Sequence, residues 1–174
     1  MQYFKPTVGL YESFEFVPGL MEALKIEGCW IAGGYMRNYI AGDAVDNRID
    51  VDLFFSEQDT ADRAKEIFLD AGYEVIFQCP EDLLTSLLHK KSGWKVQIIK
   101  IKYFGSLEEV LDSFDFTASQ VGLDFSVDMV VAGELTIQNI EDRILVLNRL
   151  SYPASTIKRI YKYIKAGYRA DESF

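Results

Sequence analysis

Asp50 and Asp52 stand two residues apart in the apolar run Ile49 to Phe55. On an extended strand, residues two apart leave the same face, so both carboxylates point to one side. Carboxylates held side by side repel each other unless a cation lies between them, and hard oxygen ligands favour Mg²⁺ or Mn²⁺. Upstream, the apolar stretch Cys29 to Ala32 runs into the pair Gly33-Gly34, and Arg37 follows three residues later. A glycine pair that opens a helix lets backbone N–H groups approach a phosphate closely, at the positive end of the helix dipole. Singly these features are ordinary: Asp-x-Asp on an edge strand often only discourages pairing, and Gly-Gly usually marks a turn. In this order and at this distance they supply a phosphate cradle beside a divalent-cation site. That is the minimum equipment for phosphoryl or nucleotidyl transfer.

The elements that must position these groups follow from the apolar pattern. A helix is predicted over Pro18 to Glu27, with Leu20, Met21, Leu24 and Ile26 on its inner face and Gly28 as its stop. Cys29 to Ala32 reads as a buried strand, Gly34 to Ile40 as a helix ended at Gly42, and Ile49 to Phe55 as the strand carrying both aspartates. Thr60 to Ala71 is amphipathic, with Ala64, Ile67, Phe68 and Ala71 inward and Gly72 as its terminator. Tyr73 to Gln78, Trp94 to Tyr103 and Val127 to Val131 read as strands, and Leu107 to Ser113 as a short helix. Strands alternating with helices, with hairpin-like strands late in the chain, give an α+β (mixed α/β) fold: a mixed sheet flanked by helices.

The motifs resemble the head domain of the polymerase-β-type nucleotidyltransferases, in particular the poly(A) polymerase and tRNA CCA-adding branch. Gly33-Gly34-x-x-Arg37-Asn38 followed by Asp50-Val51-Asp52 is similar to that branch's Gly-Gly-x-x-Arg-Asp and Asp-x-Asp. Phe114-Asp115-Phe116-Thr117 resembles its nucleotide-contacting Asp-Phe-Thr element, and Asn139 to Leu145 with Ile157 to Tyr168 resembles the passage into its neck. The resemblance implies a nucleotidyltransferase-type head over 1–150, with residues 151–174 as a neck-like helix continuing the same domain. It implies two Mg²⁺ ions (or Mn²⁺) on Asp50 and Asp52, an NTP substrate, and a phosphate cluster held by Gly33, Gly34 and Arg37. Asp115 would contact the nucleotide, and the acceptor would be a hydroxyl, with an RNA 3′ end or tRNA favoured. Small single-domain proteins of this kind encoded by bacteriophages are the nearest overall match.

Several positions depart from that pattern. Where many members carry a third carboxylate, this chain has Gln97, so either Asp115 or Asp128 completes the site or general-base help is absent. Ser113-Phe114 replaces an Arg-Arg pair, and Asn38 replaces an aspartate. One neck-like helix with no body or tail makes a complete tRNA CCA-adding enzyme an unlikely expectation. A nucleotide binder without turnover, or a purely interacting protein that keeps the fold, therefore stays open.

Charge and composition bound the partners. The 27 acidic residues outnumber 18 basic ones, a net −9, whereas proteins that track long nucleic acids are usually basic. Polynucleotide contact is then local, and the one basic concentration is Lys158, Arg159, Lys162, Lys165 and Arg169. On a helix 158, 162, 165 and 169 share one face. That face reads either as a solvated surface opposite Ile157, Ile160, Tyr161 and Ile164 or as an RNA- or acceptor-contact stripe. Tyr3, Phe4, Tyr11, Phe14 and Phe16 read as core, with an interaction surface as the alternative. No run of about 18 apolar residues occurs, so no membrane span is expected. Cys29 and Cys79 lack metal-ligand spacing and suit a reduced cytoplasm, the host's if the chain is viral. Lone His89 reads as a solvated loop residue, which disfavours a histidine-based nucleophile.

Overall fold

The computed structural model describes residues 1–172. In chain order the elements are β1 (Gln2–Phe4), α1 (Val8–Glu15), α2 (Leu20–Leu24), β2 (Cys29–Ala32), α3 (Gly34–Ala41) and β3 (Val51–Phe55). There follow α4 (Gln58–Asp70), β4 (Tyr73–Gln78), β5 (Leu84–His89), β6 (Lys95–Ile99), α5 (Leu107–Asp112), β7 (Val121–Asp124) and β8 (Met129–Ala132). The chain closes with α6 (Thr136–Glu141), β9 (Ile144–Leu145), α7 (Pro153–Lys165) and β10 (Arg169–Ala170). Eight strands form one mixed sheet in the order β1-β8-β7-β2-β3-β6-β5-β4, and β9 and β10 form a small parallel pair. Within the sheet only β3 and β6 run parallel; the other neighbours are antiparallel. The α+β class expected from the alternating pattern is the one observed.

Helices cover the sheet where its strands are apolar. Val51, Leu53 and Phe55 of β3 are fully buried, as are Ala61, Ala64 and Phe68 of α4 and Leu10 and Phe14 of α1. These join Tyr35 and Met36 of α3 in the main core, while Trp30, Phe54, Phe104 and Leu107 form a second cluster under α5. Thr7 caps α1 by accepting the Leu10 N–H at 3.1 Å, and Ser106 caps α5 by accepting the Glu109 N–H.

The differences from the sequence pattern are local. The helix expected over 18–27 shrinks to α2, because Gly19 and Gly28 both take positive φ and the chain turns at each end. Helix α1 was not expected; it buries Phe14 and leaves Tyr11 half-buried, so the N-terminal aromatics split, with Tyr3, Phe4 and Phe16 exposed. Strands β5 and β7 also went unread, and β6 ends at Ile99, short of Tyr103. His89 is not in a solvated loop. It ends β5, its Nδ1 lies 2.7 Å from the Ser92 hydroxyl, and its ring lies 5.0 Å from that of Tyr73. Both cysteines are free thiols; Cys29 is buried, and Cys79 accepts the Leu84 N–H at 3.0 Å. No helix among the described residues is long and apolar enough to cross a membrane.

Candidate active site

Strand β3 is the centre of the site. The register of β2 on β3 pairs Cys29 with Phe55, Trp30 with Phe54 and Ile31 with Leu53, so the chain leaving β2 at Ala32 and Gly33 comes alongside the start of β3. Helix α3 begins there. Gly33 precedes it at φ 87°, ψ −130°, a conformation open in practice only to glycine, and its carbonyl accepts the Arg37 N–H at 2.9 Å. A Cβ on Gly34 would lie in ordinary contact with the Arg37 guanidinium at 3.6 Å, and one on Gly33 against the Phe114 ring at 3.8 Å.

Asp52 lies within β3, whereas Asp50 sits immediately before it, because the strand starts at Val51 and not at Ile49. One carboxylate oxygen of Asp52, Oδ1, is buried and has no hydrogen-bond partner among the described residues. Burial first, and the neighbouring Asp50 charge second, push the Asp52 carboxyl up to about 7; Lys162, Arg159 and Arg37 pull it the other way. An orphaned, proton-hungry carboxylate beside a second one fits a divalent cation by its donor chemistry. The β3–β6 register sets Gln97 directly across from Asp52, and the Gln97 amide donates to Asp50 Oδ2 at 3.4 Å. Gln97 thus meets the pair as a hydrogen-bond donor. Among the described residues no group of three or more His, Cys, Asp or Glu side chains is arranged to hold a metal, so neither Asp115 nor Asp128 completes the pair. Asp128 instead accepts from the Tyr11 hydroxyl and pairs with Lys5 at 3.6 Å, on the exposed side of β8.

Asp115, buried, is satisfied by α7: Arg159 pairs with its Oδ2, and the Thr156 hydroxyl donates to the same oxygen at 2.9 Å. One turn on, Tyr163 reaches α3. The Arg37 guanidinium donates to the Tyr163 hydroxyl at 2.7 Å and lies 4.6 Å from its ring centre, while Ser119 bonds the same hydroxyl. The sequence did not single out Tyr163, Thr156 or Ser119. On α7 the signal, Thr156 and Tyr163 at helical spacing with Arg159, was hidden because the apolar stripe read as the packed one.

The stripe is in fact outward. Ile157, Tyr161 and Ile164 are 67%, 63% and 52% exposed, Ile160 is partly packed, and Thr156 and Tyr163 are the buried residues of α7. Polar contacts to Asp115 and Arg37, not aliphatic packing, set the rotation of this helix. Lys158, Lys162 and Lys165 remain exposed on α7, but Arg169 leaves that face: the helix stops at Lys165, Gly167 turns at φ 88°, and Arg169 enters β10 beside β9.

Residues 10–143 match the model of a family described as Gad2, Gabija anti-defense 2 family protein. The chain belongs to that family. A curated member, "Gabija anti-defense 2" of Bacillus phage SPbetaL7, is 27% identical over 150 residues, covering 86% of this chain and 36% of its own length. Solved structures share the architecture. A CCA-adding enzyme in complex with ATP superposes with a TM-score of 0.69 at 15% identity, over 99% of this chain and 45% of that one. The Thermotoga maritima CCA-adding enzyme complexed with tRNA gives 0.64 at 17% identity, covering 99% and 44%. The Bacillus stearothermophilus enzyme in complex with CTP gives 0.60 at 18%, covering 92% and 41%. This Gabija anti-defense 2 family chain therefore has the nucleotidyltransferase fold and spans about a third of its phage relative and under half of the CCA-adding chains.

Proposed function

We propose that the chain transfers a nucleoside monophosphate from an NTP to a hydroxyl acceptor, an RNA 3′ end being the favoured class, with release of pyrophosphate. The observation that carries this reading is the Asp52 oxygen that lacks a partner among the described residues, beside Asp50 at the start of β3. A divalent cation (Mg²⁺ or Mn²⁺) bound by these carboxylates would neutralise triphosphate charge and lower the pKa of the attacking hydroxyl. The N–H groups of the first turn of α3 would donate to the phosphate oxygens beside Gly33 and Gly34, and Arg37 would add charge-assisted hydrogen bonds. Lys162, which bears on Asp52 electrostatically, extends the cationic rim of the same site. Lys158 and Lys165, exposed on the same helix, complete the proposed acceptor contacts. Asp115 would act on the nucleotide through the Arg159 cation that it holds.

Tyr163 is a positioning residue in this scheme. Tyr163→Phe removes one acceptor from Arg37 and is expected to raise the KM for NTP about fivefold, the equivalent of about 1 kcal/mol. The kcat should stay unchanged, and Tyr163→Ala, which also removes the ring beneath the guanidinium, should raise KM further. Equal losses in kcat would assign Tyr163 to the chemical step instead.

One observation supports a second reading. Gln97 donates to Asp50 where a further anionic ligand would strengthen cation binding, which suits a nucleotide binder with little turnover. Either activity would serve the role that the phage relative's name gives it, opposing Gabija defence. Isothermal titration with each NTP, with and without Mn²⁺, tests the site itself. Metal-dependent binding lost in Asp52→Asn is expected; metal-independent binding, or none, would remove the site from the account.

A further inference from the structure

Helix α7 turns basic and aromatic side chains outward together. Its buried residues are Thr156 and Tyr163, while Lys158, Arg159, Lys162 and Lys165 are all exposed. The helix holds these cations and no carboxylate, in a chain whose net charge is −9. At about 3.6 residues per turn, Tyr161, Lys165, Lys158 and Lys162 follow one another around the helix within an arc of about 100°, and Arg159 comes next, before the buried seam. Ile157 and Ile164 lie on the far side of Tyr161. The Tyr161 ring is 63% exposed, and Lys165 Nζ sits over one of its faces, 4.4 Å from the ring centre. The other face is left for a planar ligand.

This row leads into the carboxylate site. Arg159 pairs with Asp115, and Arg159 and Lys162 both bear on Asp52. From Lys158 to Lys165 is about 10 Å along the axis, too long for one phosphate. The row therefore fits a strand of phosphates better than a phosphorylated small molecule, and each lysine contact would release a counterion. A flat ring beside a row of cations selects unpaired bases, because stacking needs an open base face that a duplex does not offer. The acidity of the chain as a whole keeps polynucleotide contact to this one cationic row. An acidic protein would meet the same cations, with Ile157 and Ile164 as anchors, but would gain nothing from the approach of the row to Asp52.

We propose that α7 binds a single-stranded RNA end, with a base stacked on Tyr161, phosphates on Lys158 and Lys165, and the 3′ terminus led past Lys162 toward Asp52. The acceptor is then an unpaired strand, and Tyr161 is the residue that distinguishes it from a duplex. The inference rests on the transfer reading only for the role of the bound strand as acceptor; the binding itself needs no NTP.

Fluorescence anisotropy of a labelled oligo(A) or oligo(U) RNA of about 12 nucleotides, with the full chain and no NTP, tests this. Tyr161→Ala should raise the dissociation constant about tenfold, and Tyr161→Trp should keep it near the wild-type value. Both should melt as the wild type does, because the ring is exposed. Lys158→Ala and Lys165→Ala should each weaken binding and lower the slope of log affinity against log salt by about 0.7. A duplex of the same sequence should bind several-fold more weakly. Binding that depends on Tyr161, with no transfer from any NTP, would refute the transfer reading and leave the strand site standing. Transfer to RNA that Tyr161→Ala does not affect would do the reverse. No RNA binding at low salt, equal losses in Tyr161→Ala and Tyr161→Trp, or equal affinity for the duplex would also overturn the proposal. So would displacement of the RNA by polyglutamate at the same charge concentration, which would assign the face to an acidic protein.

Discussion

Asp50→Ala/Asp52→Ala is expected to lower nucleotidyl transfer at least about 1,000-fold, the equivalent of losing about 4 kcal/mol of transition-state stabilisation. Asp50 and Asp52 are the carboxylates that the proposed site offers a cation, since Asp115 is committed to Arg159 and Thr156, and Asp128 to Tyr11 and Lys5. With both gone, no side chain remains to hold a cation against the triphosphate. The fold should survive, because the pair contributes no packing that Val51, Leu53 and Phe55 do not supply. Transfer measured beside a melting curve separates loss of chemistry from loss of structure. A double variant that transfers at the wild-type rate would move the active site elsewhere.

Asp52→Asn should make the cation-free protein more stable, with the gain appearing as pH rises. Burial and Asp50 hold the folded Asp52 carboxyl at about 7, against 3.8 for the ordinary group. Between these values the folded state keeps a proton that the unfolded state releases, so stability falls as pH climbs from about 4 to 7 and is not recovered above that. Asparagine has no charge to bury and escapes this loss. Its melting temperature should therefore exceed the wild type's by several degrees at pH 8 and by little at pH 4. Mn²⁺ should raise the wild-type melting temperature at pH 8 and leave Asp52→Asn unmoved. A variant less stable than wild type at pH 8 without cation would show that Asp52 is satisfied by a group other than a bound ion.

The site was legible where short-range spacing sets it. Gly33, Gly34, Arg37 and the aspartates lie within twenty residues, and the strand-turn-helix and the following strand came from apolar runs bounded by glycine. Gln97, singled out from the sequence, lies across from Asp52 because β6 pairs in register with β3. What escaped the sequence is long-range and polar. Nothing local announces that Tyr163 finds Arg37 across 126 residues, or that Arg159 and Thr156 saturate Asp115. On α7, amphipathicity pointed to Ile157, Tyr161 and Ile164 as the packed face, and specific polar contacts turned the helix the other way. Strands β5 and β7 went unread for a related reason. Thr85, Ser86 and Gly122 dilute their apolar signal, and Gly122 sits tightly between β2 and α5, where a Cβ would meet the Ile31 carbonyl and a Leu107 methyl at 2.8 Å.

Incubation of the protein with each NTP radiolabelled at the α-phosphate, with Mg²⁺ or Mn²⁺ and total RNA, tests the transferase reading most directly. Label covalently joined to RNA, absent with Asp50→Ala/Asp52→Ala and absent when the label is on the γ-phosphate, is the predicted result. No label on any acceptor from any NTP, with metal-dependent nucleotide binding intact, would contradict transfer and leave a protein that holds a nucleotide without spending it.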